Sequence, residues 1–196
     1  NCPDVCPMTL NKMDIVLDKL KKENKSVKLF FVSVDPERIF ITTGSSGGLL
    51  LLTALLLNNG GDLLLPDPGY PCNANFALAS DANPVLVPVD ARTGFKLTPE
   101  LLQEFWSSNS RGLLIGSPAN PTGAVYSNEA LKELFLFIEA NSGFLVVDEV
   151  YQGITFDPLD WSTALNVSSE IFIINSFSKL FGMTGWRLGW LVVPEI

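Results

Sequence analysis

From Ile39 onward the sequence alternates short apolar runs with segments of helical character, and this alternation constrains the fold more than any other feature. Most of the apolar runs are apolar throughout, as in strands that are buried on both faces. The candidate strands are Ile39–Thr42, Leu63–Leu65, Val85–Val89, Leu113–Ile115, Phe144–Val147, Ile171–Ile174 and Leu188–Val193. The candidate helices are Gly47–Leu57, Asn73–Ala79, Pro99–Trp106 and Asn128–Asn141. We therefore predict an α/β fold, a three-layer sandwich around a mostly parallel seven-stranded sheet.

The first 38 residues have a different character. Met8–Lys25 is lysine-rich and amphipathic, which predicts a helix, and Val27–Val34 predicts a strand. We expect a short N-terminal helix–strand segment in addition to the sheet domain. The segment lacks the charged head, apolar stretch and cleavage site of a signal peptide, so we expect a cytoplasmic protein.

The composition excludes several classes of chemistry. The chain contains no histidine, which excludes Ser-His-Asp and Cys-His catalysis and most zinc sites. Proton transfer must therefore fall to Lys, Tyr, Asp, Glu or a cofactor. The net charge of −8 argues against a nucleic-acid partner. The longest apolar run, Gly48–Leu57, is too short to cross a membrane.

Polar side chains follow four of the predicted strands directly. Ligands of parallel α/β sheets collect beyond the carboxyl ends of the strands, so these side chains predict a site. The segments are Gly44–Gly47, Ser117–Gly123, Asp148 with Tyr151, and Ser176 to Lys179. Each has an ordinary explanation when taken alone, such as a helix cap, a turn or a solvated lysine. A carboxylate at the end of an apolar strand is less easily explained, because its burial is costly without a partner.

Five motifs together resemble the large domain of the class I/II aminotransferases, which are fold-type I pyridoxal-phosphate (PLP) enzymes. They occur in the order and at the spacing of that family over residues 39–196. The motifs are Thr43-Gly44-Ser45-Ser46, Pro66-Asp67-Pro68-Gly69-Tyr70-Pro71, Asn120-Pro121-Thr122-Gly123, Val147-Asp148-Glu149-Val150-Tyr151, and Ser176-Phe177-Ser178-Lys179 running on to Gly182–Gly189.

The resemblance implies a role for each residue around the cofactor ring. Lys179 would form the Schiff base with the cofactor aldehyde and later carry the proton of the substrate α-carbon. Asp148 would pair with the pyridine nitrogen and keep it protonated. Asn120 and Tyr151 would hydrogen-bond the phenolic oxygen of the ring, and Tyr70 would stack on its face.

The resemblance also implies a cradle for the cofactor phosphate, built from backbone N–H groups, hydroxyls and one guanidinium group. Ser178 would be an additional contact to the phosphate. The cradle itself would consist of Gly44, Ser45, Ser46, Ser176 and Arg187.

Residues 1–38 do not resemble the start of an aminotransferase. The run from Cys2 to Cys6, with the following helix and strand, resembles a fragment of Sco-type copper chaperones, which have a thioredoxin-like fold. This predicts a composite chain with its junction at Asp35-Pro36-Glu37-Arg38. Cys2 and Cys6 could bind Cu(I), but the Sco site also needs a histidine, so two free thiols are the favoured interpretation and no metal is predicted.

The leading prediction is a PLP-dependent aminotransferase core that transfers an amino group from an amino acid to a 2-oxo acid. The resemblance implies a homodimer in the intact family and a small C-terminal domain that this chain lacks. A PLP lyase or decarboxylase, a PLP-binding fragment without turnover, and a copper-binding or thiol-redox module remain alternatives. The run Trp186-Arg187-Leu188-Gly189 favours the aminotransferase.

Overall fold

The computed structural model of the chain describes residues 36–154 and 162–194. The chain divides after Arg38 into two units, and the fold given below is that of residues 39–196. The predicted helix Met8–Lys25, the predicted strand Val27–Val34 and the two cysteines Cys2 and Cys6 lie outside the described residues.

Within the described residues, seven strands form one sheet in the order β1-β7-β6-β5-β4-β2-β3. The strands are β1 Ile39–Thr42, β2 Asp62–Asp67, β3 Asn83–Pro88, β4 Ser110–Gly116, β5 Phe144–Asp148, β6 Phe172–Ser176 and β7 Gly189–Val192. Neighbouring strands from β3 to β6 pair in parallel, whereas β7 runs antiparallel to both β6 and β1. The predicted α/β fold with a mostly parallel seven-stranded sheet is confirmed.

Among the described residues, four α-helices connect the strands, and the residues just before two of them explain where these helices begin. The helices are α1 Gly44–Leu56, α2 Pro71–Ala79, α3 Pro99–Phe105 and α4 Asn128–Ala140. The hydroxyl of Thr98 accepts the N–H of Leu101 at the start of α3, and the hydroxyl of Ser127 accepts the N–H of Ala130 at the start of α4. Both residues thus satisfy backbone donors that a helix start leaves free.

The two faces of the sheet carry different helices. Helices α1 and α2 pack on one face through a cluster of buried side chains that includes Leu49, Leu52 and Ala77 with Leu114 and Val146 of the sheet. Neighbouring strand residues point to the opposite face. There α3 and α4 pack against each other and against β3 and β5. The result is the predicted three-layer arrangement, which holds the strand ends in fixed positions.

The direction of the strands determines where a site can form. Because β7 is antiparallel to both of its neighbours, β1 runs in the same direction as β2 to β6. The carboxyl ends of β1 to β6 and the amino end of β7 therefore lie at one edge of the sheet. Every polar segment that the sequence places after a strand reaches this edge.

Candidate functional site

A cavity of about 600 Å³ opens at the carboxyl edge of the sheet. Its wall combines an amine, a guanidinium group, two carboxylates, two amides, three phenols and four hydroxyls. Nine of the eleven residues predicted from the sequence line it: Ser45, Ser46, Tyr70, Asn120, Asp148, Tyr151, Ser178, Lys179 and Arg187. Side chains that are up to 142 residues apart in the sequence thus surround one space.

The remaining two predicted residues, Gly44 and Ser176, lie just behind the wall. Gly44 lies under the guanidinium group of Arg187, and a methyl group at Gly44 would lie 2.6 Å from Nη2. Ser176 is buried, and its hydroxyl lies 2.6 Å from that of Ser178. The structure therefore places Ser178 on the cavity wall and Ser176 behind it, where it orients the Ser178 hydroxyl.

One end of the cavity presents backbone N–H donors and a positive charge. Helix α1 begins here with Gly44, and Thr43 before it makes no side-chain hydrogen bond to the first turn. The first N–H groups of the helix are therefore not capped by that side chain, and the helix dipole adds positive potential. Arg187 adds a full positive charge beside them, held by a hydrogen bond of 3.2 Å from Nη1 to the carbonyl of Thr184.

Asp148 occupies the floor of the cavity at the end of β5. Its Oδ1 accepts the N–H of Val150 at 3.1 Å. Burial raises the pKa of the Asp148 carboxyl to about 6, although the Val150 N–H and the positive charge of Lys179 act in the opposite direction. A carboxylate in this setting gains most from a cationic N–H donor placed above it.

Lys179 and Tyr151 face each other across the same cavity. Nζ of Lys179 lies 5.5 Å from the centroid of the Tyr151 ring. The Tyr151 hydroxyl accepts a long hydrogen bond of 3.5 Å from Nδ2 of Asn120. The amine, the phenol and the amide can therefore reach one ligand from three strand ends.

Tyr70 lies at the start of α2 and contributes a partly exposed ring to the cavity wall. A hydrogen bond with the Cys72 thiol, together with partial burial, raises the pKa of the Tyr70 phenol. The Cys72 contact and burial therefore favour the neutral phenol, whose ring can form one face of the site.

The cavity wall also contains Tyr126 and Asn73, two buried polar residues that were not predicted from the sequence. Tyr126 is buried, burial raises the pKa of its phenol to about 12, and its hydroxyl accepts the N–H of Leu97 at 2.8 Å. Asn73 is also buried, and its Oδ1 is a buried side-chain acceptor without a partner among the described residues. Neither residue follows a strand directly, so the rule that selected the other residues does not find them.

The described residues show neither a membrane-spanning helix nor a cluster of metal ligands. In residues 36–154 and 162–194, no helix is long and apolar enough to span a bilayer. The same residues contain no group of three His, Cys, Asp or Glu side chains that could hold a metal ion.

Comparison with known proteins identifies relatives over most of the chain. The family model for aminotransferase class I and II matches residues 15–196. The chain is 39% identical over 166 residues to the valine–pyruvate aminotransferase of Mycobacterium tuberculosis, covering 84% of this chain and 42% of that protein. It is 32% identical over 192 residues to an aspartate aminotransferase of Pinus pinaster, covering 95% of this chain and 38% of that protein.

Solved structures agree with the sequence comparison. A crystal structure of an aminotransferase from M. tuberculosis matches with a TM-score of 0.79 and 37% identity, covering 92% of this chain and 45% of the other. The aromatic aminotransferase of Pyrococcus horikoshii matches with a TM-score of 0.78 and 30% identity, covering 92% and 48%. The chain thus spans less than half the length of these relatives.

The family match also bears on the N-terminal segment. It begins at residue 15, inside the segment in which the sequence resembles a Sco-type chaperone, and that resemblance finds no support in these comparisons. The fold, the cavity and the relatives lead to one conclusion: this chain belongs to the class I and II aminotransferase family.

Proposed function

We propose that the cavity binds PLP, with Lys179 as the covalent attachment, and that the protein transfers an amino group from an amino acid to a 2-oxo acid. Membership of the family implies PLP as the cofactor. The observation that carries the proposal is the distribution of chemistry in one cavity, with an anion cradle at one end, a carboxylate on the floor and an amine on the wall.

The anion cradle fits the phosphate of the cofactor. The N–H groups and hydroxyls of Ser45 and Ser46 can donate to phosphate oxygens, and Arg187 can neutralise their charge. Gly44 supports this assignment, because any side chain there would displace the guanidinium group of Arg187. Ser178 offers a further hydroxyl, which Ser176 orients from behind.

The floor and wall fit the ring of the cofactor. The carboxylate of Asp148 would accept the N–H of the pyridine nitrogen, and the positive charge there would compensate for the burial of Asp148. Asn120 and Tyr151 would donate to the phenolic oxygen of the ring. Tyr70 would cover one face of the ring and exclude water from it.

Lys179 supplies the reacting amine. PLP, when bound, provides a ring that withdraws electrons from the substrate α-carbon and makes its proton removable. Lys179 would hold the cofactor through its Nζ before substrate arrives. Once Nζ is released from the cofactor, it would take the α-proton of the substrate and return it to a different carbon atom. The nearby Tyr151 phenol would keep Nζ in place during this transfer.

The relatives support the choice among PLP reactions, but they do not select one substrate. Their names describe amino-group transfer, which favours an aminotransferase over a PLP lyase or decarboxylase. Those names specify valine with pyruvate in one case and aspartate in another, so the proposal stops at an amino acid and a 2-oxo acid. A PLP-binding fragment without turnover remains the second candidate, since the chain spans less than half of its relatives.

The proposal has three further parts, which concern the domain boundary, the oligomeric state and the location of the protein. We place the start of the PLP-binding domain at Ile39, where β1 begins, and the division after Arg38 supports this boundary. A homodimer is supported by exposed apolar side chains on α1, namely Leu50, Leu51 and Leu55, which a partner could cover. The cytoplasmic location rests on the sequence alone.

The proposal is tested by titrating the purified chain with PLP and following the visible absorbance of the lysine–cofactor link. Wild type should develop the band at about one equivalent. Lys179→Ala should not develop it, and Lys132→Ala, which removes an exposed lysine of α4, should behave as wild type. Equal bands in Lys179→Ala and wild type would refute the proposal. Turnover with a panel of amino acids and 2-oxo acids then separates the aminotransferase from the inactive fragment.

A further inference from the structure

We propose that Glu149 is a positioning residue, whose buried carboxylate fastens residues 162–166 to the end of β5 and thereby fixes the turn that presents Asp148 and Tyr151 to the cavity. Its effect on cofactor chemistry rests on the proposed function, whereas its effect on the turn does not. Neither the motif comparison nor the cavity lining assigns a role to this side chain.

The first observation is the burial of Glu149. Only 3% of its surface is exposed, and among the described residues it is the one carboxylate that falls in the buried group. A buried carboxylate is costly unless strong donors satisfy it. Glu149 does not line the cavity, so a ligand there is not its partner.

The second observation is the partner that Glu149 does have. Its Oε1 accepts the N–H of Ala164 at 2.7 Å, and the side chains of Thr163 and Gln152 are further hydrogen-bonding partners. Ala164 is fully buried, so its N–H is shielded from water and takes its hydrogen-bond acceptor from Glu149. The carboxylate and the amide therefore depend on each other.

Additional hydrogen bonds make the attachment of this segment a network. Nε2 of Gln152 donates to the carbonyl of Ser162 at 3.2 Å, and the Ser162 hydroxyl donates to Oδ1 of Asn128 at the start of α4. The segment that contains Ala164 is thus joined to the Asp148–Gln152 turn through two side chains of the turn, Glu149 and Gln152. The Glu149–Ala164 hydrogen bond is shorter and more buried than the Gln152–Ser162 hydrogen bond.

The third observation connects this network to the cavity. The N–H of Glu149 donates to the carbonyl of Ile174 in β6 at 2.8 Å, and its carbonyl accepts the N–H of Gln152 at 2.9 Å. Asp148 precedes it and lines the cavity, and Tyr151 follows two residues later on the same wall. Neighbouring residues at a strand end point in opposite directions, so Glu149 holds the turn from its far side while Asp148 faces the ligand.

The charge state of Glu149 determines which substitutions can separate the effects of its charge, its length and its acceptor oxygen. Burial, together with the negative charge of Asp148, raises the pKa of the Glu149 carboxyl to about 7, while the Ala164 N–H and the Thr163 and Gln152 side chains lower it. The protonated carboxyl still offers a carbonyl oxygen to Ala164. Glu149→Gln keeps that acceptor, Glu149→Asp keeps the charge but shortens the side chain, and Glu149→Ala removes both.

The first test measures hydrogen–deuterium exchange in the cofactor-free protein, in peptides that cover residues 148–154 and 162–166. Glu149→Ala should raise exchange in both peptides by roughly tenfold. Glu149→Asp should give a smaller increase in the same two peptides, and it carries the test if the alanine variant does not fold. Glu149→Gln should remain within about twofold of wild type.

A control separates positioning from general loss of stability. Leu134→Ala removes a fully buried side chain of α4 and should lower stability without selectively raising exchange at 148–154. The second readout is the pH midpoint of the visible band of the PLP-loaded protein. It should shift by about half a pH unit or more in Glu149→Asp, which keeps the charge beside Asp148, but not in Leu134→Ala.

The outcomes are distinct. If wild type forms no band with PLP, the proposed function fails, while the exchange data still test the role of Glu149. If Glu149→Asp and Glu149→Ala leave exchange at 148–154 unchanged, or if Leu134→Ala changes it equally, Glu149 does not position the turn. A band midpoint that is the same in Glu149→Asp and wild type would remove the link to the cofactor.

Discussion

The substitution Gly189→Ala should disrupt the anion cradle, although residue 189 contributes no side chain to it. Gly189 is the first residue of β7 and lies against the start of α1. A methyl group at this position would lie 2.6 Å from the carbonyl carbon of Gly44, 2.8 Å from the nitrogen of Ser45 and 2.9 Å from the carbonyl oxygen of Asn175. All three atoms belong to the backbone, so no side chain can rotate away to make room.

The distances give the size of the effect. Ordinary contacts begin at 3.4 Å, so β7 and the start of α1 must separate by roughly 0.6–0.8 Å. Overpacking of this kind costs about 1–3 kcal/mol of stability. Arg187 precedes β7 and would move with it away from Gly44 and Ser45. Losing one charge-assisted hydrogen bond to the phosphate should weaken PLP binding by roughly 10- to 100-fold.

The assay is an equilibrium titration with PLP, combined with urea denaturation of the cofactor-free protein. Gly185→Ala is the matched control, because a methyl group at Gly185 meets nothing within 4 Å and lies in the same segment before β7. The control should bind PLP within about twofold of wild type. If Gly189→Ala binds PLP as tightly as Gly185→Ala does, the close approach of β7 to α1 does not form the cradle.

Three further predictions concern individual side chains. Arg187→Ala should weaken PLP binding by roughly 10- to 100-fold, with partial recovery in Arg187→Lys, as measured by equilibrium dialysis; unchanged affinity would contradict its role. Because burial raises the pKa of Asp148 from 3.8 to about 6, the cofactor-free folded protein holds this proton more tightly than the unfolded chain does. The protonated Asp148 carboxyl contributes fully to stability below about pH 4, and this contribution is lost as pH rises through 6. The free energy of unfolding should therefore fall across pH 4–7 in urea denaturation, and Asp148→Asn should reduce that fall by up to about 3 kcal/mol. If the pH dependence of stability is the same in Asp148→Asn and wild type, Asp148 is not the source of the fall in stability. Tyr126→Phe leaves the buried N–H of Leu97 without its acceptor and should cost about 1–2 kcal/mol, and unchanged denaturation would contradict that contact.

The sheet could be predicted from the sequence because its strands are short runs of buried apolar residues bounded by Gly, Pro, Asn and Asp. Two strand boundaries differ from the prediction. Val85–Val89 is observed as Asn83–Pro88, and Leu188–Val193 as Gly189–Val192, since pairing with a neighbouring strand rather than apolar character decides where a strand ends.

The candidate site could be predicted where a polar residue lies at the end of a strand or shortly beyond it, as Asp148 and Lys179 do. The sequence could not predict that Ser178, rather than Ser176, lines the cavity. The two hydroxyls are two residues apart, and only the fold decides which of them faces the cavity. Asn73 and Tyr126 reach the cavity through the packing of α2 and of the segment that follows Asn120. Such contacts depend on tertiary structure and leave no local signal.

The attachment of PLP to Lys179 is tested most directly by chemical trapping. The PLP-loaded chain is reduced with borohydride, digested and analysed by mass spectrometry to locate the modified lysine. The account predicts a single stoichiometric adduct on Lys179, at the end of the strand beside the one that carries Asp148. An adduct on another lysine, or no adduct under conditions in which the visible band forms, would contradict it.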